Sequence, residues 1–143
     1  MNLRLERSLD ATPERVFAAF LDPRGLEEWF GPNGFTCRRA ELDARAGGRY
    51  RLTMQPPEGE VFHIAGEFRE LDPPRRLAFT FLYEEPDPDD RETVVALAFE
   101  PAGGGTRLVL DQGPFKTETR LELHRAGWTD TLERLARALG QSR

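Results

Sequence analysis

Much of the chain alternates apolar and polar residues, which is the pattern of β-strands that bury one face. In the segment 76–83, for example, Leu77, Phe79 and Phe81 share one side while Thr80 faces the other. The links between such segments are short and rich in proline, glycine and acidic residues, which is typical of hairpins between antiparallel strands. The pattern therefore predicts an antiparallel sheet with one apolar, aromatic face. Its strands are expected near residues 3–9, 35–42, 48–55, 60–71, 76–83, 92–100 and 105–112.

The sequence offers one long amphipathic helix to cover that face, and its most helix-like run is residues 123–139, LHRAGWTDTLERLARAL. A helical period places its large apolar side chains on one stripe, namely Leu121, Trp128, Leu132, Leu135 and Leu139. Two shorter helices are expected near the N-terminus, because Thr12-Pro13 and Asp22-Pro23 each combine an N-cap residue with a proline at the first helical position. We therefore predict the α+β class, with a curved antiparallel sheet of six to seven strands around a long C-terminal helix and two short N-terminal helices.

Composition narrows the classes of partner. The 143 residues fit one domain, residues 1–143. The formal net charge of -5, with dispersed cations, argues against binding to nucleic acid or anionic lipid. Cys37 is the single cysteine, so an intramolecular disulfide cannot form. The N-terminal residues are charged where a secretory signal is apolar, and no segment approaches the ~20 apolar residues that span a bilayer. We therefore expect a cytoplasmic protein without membrane insertion.

Three residues interrupt the apolar stripe of the C-terminal helix. His124 and Arg125 lie inside the stripe or at its edge, one turn before Trp128. Because a buried arginine requires a carboxylate, carbonyl groups or water beside it, we expect a cavity beneath the first half of the helix and solid packing beneath the second. Gly127 costs about 1 kcal/mol relative to alanine in mid-helix. Either it lets a strand or ring approach the helix closely, or it tolerates crowding in an ordinary core, and both interpretations predict that Gly127→Ala is destabilising through a clash.

Five sequence segments occur in an order that resembles a known superfamily. Between residues 9 and 135 they read LDATPERVFAAFLDPRGLEEWFGP, DARAGGRYRLTM, GEFRELDPPRRLAFTF, GGGTRLVL and HRAGWTDTLERL. This order is similar to that of the START-like, or SRPBCC, superfamily, and in particular of its bacterial branch named after the activator of the Hsp90 ATPase. The resemblance covers about residues 3–139 and implies a helix-grip fold that encloses a tunnel or pocket for an apolar small molecule. The positions that match the family are Trp29-Phe30, Gly47-Gly48 with Tyr50, Gly66, Asp72-Pro73-Pro74, and His124, Gly127 and Trp128.

The inward aromatic residues are candidates for the wall of such a pocket. Apolar walls with few polar groups are typical of small-molecule sites, although the same residues could form an ordinary core. His124 and Arg125 are candidates for the polar end, the alternatives being a hydrogen-bonded structural histidine and a structural salt bridge. Arg7 also has an inward phase, with the same salt-bridge alternative. The candidate ligand-binding residues are Trp29, Phe30, Tyr50, Leu52, Phe68, Phe79, Phe81, Phe115, His124, Arg125 and Trp128.

The sequence carries no recognisable catalytic or metal-binding pattern. The two serines, Ser8 and Ser142, are not in a nucleophile elbow, and nothing near Cys37 indicates a low thiol pKa. The histidines and the cysteine lack the spacing of metal ligands, and His63 is expected to face outward. The acidic run Glu84–Asp90 lacks the central glycine and final glutamate of a calcium loop, so we expect a solvated loop. We expect no catalytic residue, no bound metal and no cofactor.

Three functions remain open on these grounds. The one that the sequence favours is a non-catalytic module that binds an apolar or amphipathic small molecule between sheet and helix, with His124 and Arg125 at the polar end. The second is a cyclase-like or lyase-like enzyme in which the same cavity orients a reactive ligand. The third is a chaperone-modulating interaction protein, which predicts an exposed apolar patch and no enclosed cavity. An exposed edge strand also favours a homodimer.

Overall fold

Seven antiparallel strands form a single sheet in a computed structural model that describes residues 1–141; Ser142 lies outside the described residues. The strands are β1 (Leu3–Leu9), β2 (Thr36–Leu42), β3 (Arg49–Gln55), β4 (Phe62–Asp72), β5 (Arg76–Tyr83), β6 (Thr93–Ala102) and β7 (Gly105–Gly113). Their order across the sheet is β1-β7-β6-β5-β4-β3-β2, so that β1 and β2 are its edges. All seven predicted strands are present, and the predicted α+β class is confirmed.

Three helices accompany the sheet: α1 (Pro13–Phe20), α2 (Pro23–Trp29) and α3 (Glu118–Gln141). Both helices begin where the sequence predicted, with a proline after each N-cap residue. The Thr12 hydroxyl accepts a hydrogen bond from the Arg15 backbone N–H at 3.3 Å, whereas the Asp22 side chain makes no capping hydrogen bond. The α3 helix begins five residues before the run that looked most helical. Within residues 1–141, no helix combines the length and the apolar character that a membrane span requires.

The α3 helix packs across the apolar face of the sheet, and its predicted stripe is buried throughout. A short polar chain also holds the helix in place. The Trp128 indole N–H donates to the Gln112 side chain at 2.8 Å, and the Gln112 amide donates to the Thr93 hydroxyl at 2.9 Å. All three side chains are buried, so these hydrogen bonds satisfy groups that would otherwise be costly to desolvate. They fix the position of α3 on β6 and β7.

The β4–β5 pair contains a close approach at Gly66. A Cβ atom added at this glycine would lie 2.0 Å from the carbonyl oxygen of Thr80. That carbonyl accepts a 2.6 Å hydrogen bond from the Tyr50 hydroxyl, while the Thr80 hydroxyl accepts one of 2.8 Å from the Glu67 backbone N–H. Side chains therefore complete the hydrogen bonding where the regular pairing is interrupted, and the geometry requires a residue without a side chain at position 66.

Candidate functional site

A cavity of about 300 Å³ lies between the first half of α3 and the sheet, in the place that the polar residues of the helix predicted. Its walls are mainly apolar and aromatic. They come from the segment after α2, from β3, β4 and β5, and from the inner face of α3, and comprise Phe30, Phe35, Met54, Phe62, Ile64, Phe81 and Trp128. The rings of Phe30 and Trp128 meet edge to face with centroids 5.8 Å apart. The space therefore suits an apolar body of moderate size.

His124 and Tyr83 form an inner polar pair of the cavity; Thr131 also lines it, but its hydroxyl donates to the Gly127 carbonyl at 2.7 Å. Only 8% of His124 is exposed, and its ring packs against Phe81 and Phe115 with centroids 5.4 and 4.9 Å away. The Tyr83 hydroxyl lies 3.4 Å from the Nε2 atom of His124, a long hydrogen bond. Burial lowers the pKa of His124 to about 4, and burial raises the pKa of Tyr83. Both groups are therefore uncharged at neutral pH.

Residues 84–92, which we call the acidic loop, form part of the mouth of the cavity, because Glu85, Asp87 and Asp90 line it. Arg120 of α3 pairs with Asp87 and, at 3.4 Å, with Asp90. The Lys116 ammonium donates to the Pro88 carbonyl at 2.8 Å. The solvated loop that the sequence predicted is thus tied to the start of α3.

The segment 30–35 forms another wall and is also held by α3. One guanidinium nitrogen of Arg134 donates to the carbonyls of Gly31, Pro32 and Phe35 at 2.9 to 3.1 Å. The Asp130 carboxylate accepts a hydrogen bond from the Asn33 backbone N–H at 3.1 Å. Backbone dipoles balance the charge of Arg134, and burial lowers its pKa, an effect that the nearby Asp130 opposes.

The structure divides the predicted site residues into four groups. Phe30, Phe81, His124 and Trp128 line the main cavity. Tyr50, Leu52, Phe68 and Phe79 line a neighbouring space of about 30 Å³ together with Phe30 and Phe81, and Phe115 lines one of about 10 Å³. Spaces of this size hold at most a water molecule or two, so these residues are packed core around the main cavity. Trp29 and Arg125 line none of the three spaces.

Arg125 is a correction to the sequence-based site. Its side chain is 41% exposed and pairs with Glu122 at 3.2 Å, and it donates to the Arg4 carbonyl at 3.4 Å. A long side chain at the edge of an apolar stripe can reach the surface while its stem remains packed. Arg125 therefore does not form the polar end of the cavity. Arg7 adopts the structural alternative, with an ion pair to Glu133 at 2.7 Å.

Trp29 is also displaced from the predicted site. It is buried in the core, with its ring edge to face against Phe20 at 5.1 Å and tilted against Phe30 at 5.9 Å. Its indole N–H has no hydrogen-bond partner within residues 1–141. Trp29 therefore supports the wall residue Phe30 from behind.

Sequence reasoning missed Tyr83 and Arg120 as site residues, along with Met54, Phe62 and Ile64 of the wall. A signal for Arg120 existed, since it lies one turn before His124 and two before Gly127 on the same face of a helix. The apolar residues carried the same alternation as the remaining core, which does not separate a cavity wall from a packed interior.

Gly127 has a different role from either one predicted. A Cβ atom added there would meet only the Cγ atom of Pro32, at 3.6 Å, which is ordinary contact. The predicted clash is therefore wrong. The glycine faces the cavity, and the missing side chain enlarges that space.

We expect Gly127→Ala to raise the free energy of unfolding by up to about 1 kcal/mol, because alanine is the better helix former and the added methyl group makes only an ordinary contact with Pro32. Urea unfolding followed by circular dichroism measures the change. Gly140→Ala is the matched control, since Gly140 lies in the same helix with nothing near its Cβ position. A loss of stability in the Gly127 variant alone would contradict the open space described here.

One cluster at the mouth of the main cavity has the donor atoms of a metal site. Ligand atoms of His63, Glu84 and Glu85 lie within 4.8 Å of one another. However, the Arg51 guanidinium donates to both Glu84 oxygens, at 2.8 to 3.2 Å, and so occupies the position of a cation.

Cys37 is buried, and burial raises its thiol pKa to about 11, so it is not an activated nucleophile.

The fold and the cavity together define a helix-grip protein, in which a long C-terminal helix lies on a curved antiparallel sheet and leaves an apolar space beneath its first turns. A family model described as "Activator of Hsp90 ATPase homolog 1-like protein" matches residues 10–140. The chain belongs to this AHSA1-like family of the SRPBCC superfamily.

Solved bacterial structures agree with this assignment. The chain is 32% identical to a Chromobacterium violaceum protein, with a TM-score of 0.87 and 94% of each chain covered. It is 31% identical to an AHSA1 protein from Silicibacter pomeroyi, with a TM-score of 0.84 and 100% of each chain covered. A Nitrosomonas europaea protein is 27% identical, with a TM-score of 0.85 over 99% of this chain and 96% of that one. No curated protein sequence matches the chain.

Proposed function

We propose that this protein binds an apolar or amphipathic small molecule in the cavity between α3 and the sheet, without transforming it. The observation that carries the proposal is the space of about 300 Å³ with apolar walls and an uncharged polar pair. Small-molecule sites commonly begin at this volume and combine apolar walls with a few polar groups. Members of the SRPBCC superfamily typically bind small apolar ligands, which agrees with this role.

Two observations favour binding over catalysis. Burial lowers the pKa of His124 to about 4, whereas a general acid or base works best with a pKa near the operating pH. Burial raises the pKa of Tyr83, so its hydroxyl keeps its proton. The cyclase-like or lyase-like alternative remains a second candidate, because these two groups meet inside the cavity. Native mass spectrometry of a copurified ligand distinguishes the two: an unchanged mass after incubation supports binding, and turnover that His124→Gln abolishes supports catalysis.

The chaperone-modulating alternative has less support. It requires a contiguous exposed apolar patch. The large exposed apolar side chains of the described residues are Met1, Leu82, Val94 and Leu123, and of these only Leu82 and Val94 lie on adjacent strands. Cytoplasmic location and homodimer formation stay predictions, based on the single cysteine and on the sheet edges at β1 and β2.

A substitution of Gly127 that fills the cavity with a larger side chain tests the proposed function. We expect the uncharged fluorescent probe N-phenyl-1-naphthylamine to bind the wild-type protein saturably, and Gly127→Leu to weaken binding at least about tenfold, because the leucine side chain occupies the space of the ligand. Fluorescence titration measures the dissociation constants.

Gly127→Ala is the matched control, and it is expected to retain binding within about threefold because a single methyl group removes little volume. Circular dichroism establishes that both variants are folded. Failure of the wild-type protein to bind the probe, or equal binding by the folded leucine variant, would contradict the proposal.

A further inference from the structure

We propose that the cavity selects cationic amphiphiles, that is, molecules with an apolar ring system and a protonated amine, over carboxylates of the same shape. This inference rests on the proposed binding function and adds the charge of the ligand. Three features carry it: the charge at the mouth, the aromatic walls and the uncharged inner polar pair.

The mouth of the cavity carries a net negative charge. Within residues 1–141, its acidic lining residues are Glu85, Asp87 and Asp90, and its one basic lining residue is Arg120. The wider acidic loop, EEPDPDDRE, has six carboxylates and one arginine. Glu85 remains ionised, because hydrogen bonds from the His63 side chain and backbone lower its pKa. An approaching ammonium is therefore attracted to this mouth, and a carboxylate is repelled.

Among the described residues, Arg120 is the one cation of the lining, and it is not free for an anionic ligand. Arg120 is paired with both Asp87 and Asp90, and its side chain is only 18% exposed. Two nearby cations are also engaged, since Lys116 binds the Pro88 carbonyl and Arg51 binds Glu84, and Arg91 of the acidic loop does not line the cavity. A ligand carboxylate would have to break an existing pair to gain a counter-ion, which costs more than the pair contributes.

The aromatic walls and the inner polar pair, His124 and Tyr83, also favour an ammonium group. The faces and edges of Phe62, Phe81 and Trp128 surround the space, and cations are attracted to aromatic faces. His124 is buried and lines the cavity, and within residues 1–141 its ring has one hydrogen-bond partner, the Tyr83 hydroxyl. A neutral imidazole has one nitrogen that accepts and one that donates, so it can receive a hydrogen bond from an amine but gives a carboxylate no charge.

Three probes with a common naphthalene body test the inference: 1-naphthylmethylamine, 1-naphthalenemethanol and 1-naphthoate. Displacement of N-phenyl-1-naphthylamine at pH 7.5 gives their dissociation constants. We expect the amine to bind at least about tenfold more tightly than the carboxylate, with the alcohol between them. The preference should fall as salt concentration rises, because the mouth is open to solvent.

The Glu85→Gln variant tests whether the negative charge at the mouth causes the preference for the amine. We expect it to reduce the ratio of amine to carboxylate affinity about threefold, the effect of one partly exposed charge. Glu41→Gln on β2 removes the same charge away from the cavity and should leave the ratio unchanged. Circular dichroism verifies that both variants are folded.

The outcomes separate this inference from the function on which it rests. Binding of the carboxylate or the alcohol as tightly as the amine, or an equal effect of both glutamate variants, overturns the charge preference and leaves small-molecule binding in place. Failure of N-phenyl-1-naphthylamine and of all three naphthalene probes to bind overturns both.

Discussion

Replacement of Gly66 by alanine is expected to lower the free energy of unfolding by about 2–4 kcal/mol, a large fraction of the stability of a typical domain. The alanine methyl carbon would lie 2.0 Å from the Thr80 carbonyl oxygen and 2.7 Å from Cε1 of the Tyr50 ring. The first contact is with backbone inside a sheet, so neither side can move without disturbing the pairing of β4 with β5. Overpacking of this kind costs about 1–3 kcal/mol, and displacement of Thr80 also breaks its hydrogen bond with Tyr50, worth about 1 kcal/mol.

Urea unfolding followed by circular dichroism measures the loss. Tyr50→Phe is the control, because it removes the hydroxyl group but keeps the ring and introduces no clash; we expect it to cost only about 1–2 kcal/mol. If Gly66→Ala cost no more than Tyr50→Phe, the close approach of the two strands at this glycine would be contradicted. Should the alanine variant not fold at all, its yield relative to Tyr50→Phe gives the same ranking.

Acidification is expected to destabilise the protein through His124 by about 3 kcal/mol between pH 7 and pH 4. Burial lowers the pKa of this histidine from 6.5 to about 4 in the folded protein, an effect that Arg120 reinforces and Asp90 opposes. As pH falls below 6.5, His124 binds a proton in the unfolded chain but not in the folded protein. This proton binding stabilises the unfolded state relative to the folded state, until the histidine of the folded protein also titrates near pH 4. The destabilisation of the folded protein by His124 is therefore absent above about pH 7 and largest below pH 4.

His124→Gln removes the titrating group and isolates its effect from that of the carboxylates. We expect the stability of the wild-type protein to fall by about 3 kcal/mol more than that of the variant over this range. Tyr83→Phe is the control, because it removes the hydroxyl that contacts Nε2 and keeps the buried imidazole; it should retain the pH dependence. Parallel stability curves for the wild-type protein and His124→Gln would show that the ring is not desolvated in the folded state.

The sequence predicted the fold in more detail than it predicted the site. Strands and helices follow from local patterns, and the alternation around Leu77 and Phe79 and the Thr12-Pro13 cap were sufficient to place their elements. A cavity depends on the distance between elements, which no local pattern records. Tyr50 and Met54 alternate in the same phase of β3, yet Met54 lines the main cavity and Tyr50 lies in packed core.

The polar residues of α3 illustrate the same limit. His124 and Arg125 differ by 100° around the helix, and both were near the edge of the apolar stripe. The short imidazole stays among aromatic rings, whereas the longer guanidinium reaches Glu122 at the surface. Gly127 was recognised as unusual from its helix propensity alone. Its meaning, a gap that belongs to the cavity, depended on the position of Pro32.

The attachment of the 30–35 segment by Arg134 has a consequence for how such proteins can diversify. Three carbonyls of that segment converge on one guanidinium nitrogen, and Asp130, one turn earlier, accepts a hydrogen bond from the Asn33 N–H, so the side chains of one helix turn set how far the segment stands from α3. None of these hydrogen bonds involves the sheet. The width of the compartment can therefore change through substitutions on one turn of helix, while the scaffold that holds the protein together is inherited unaltered.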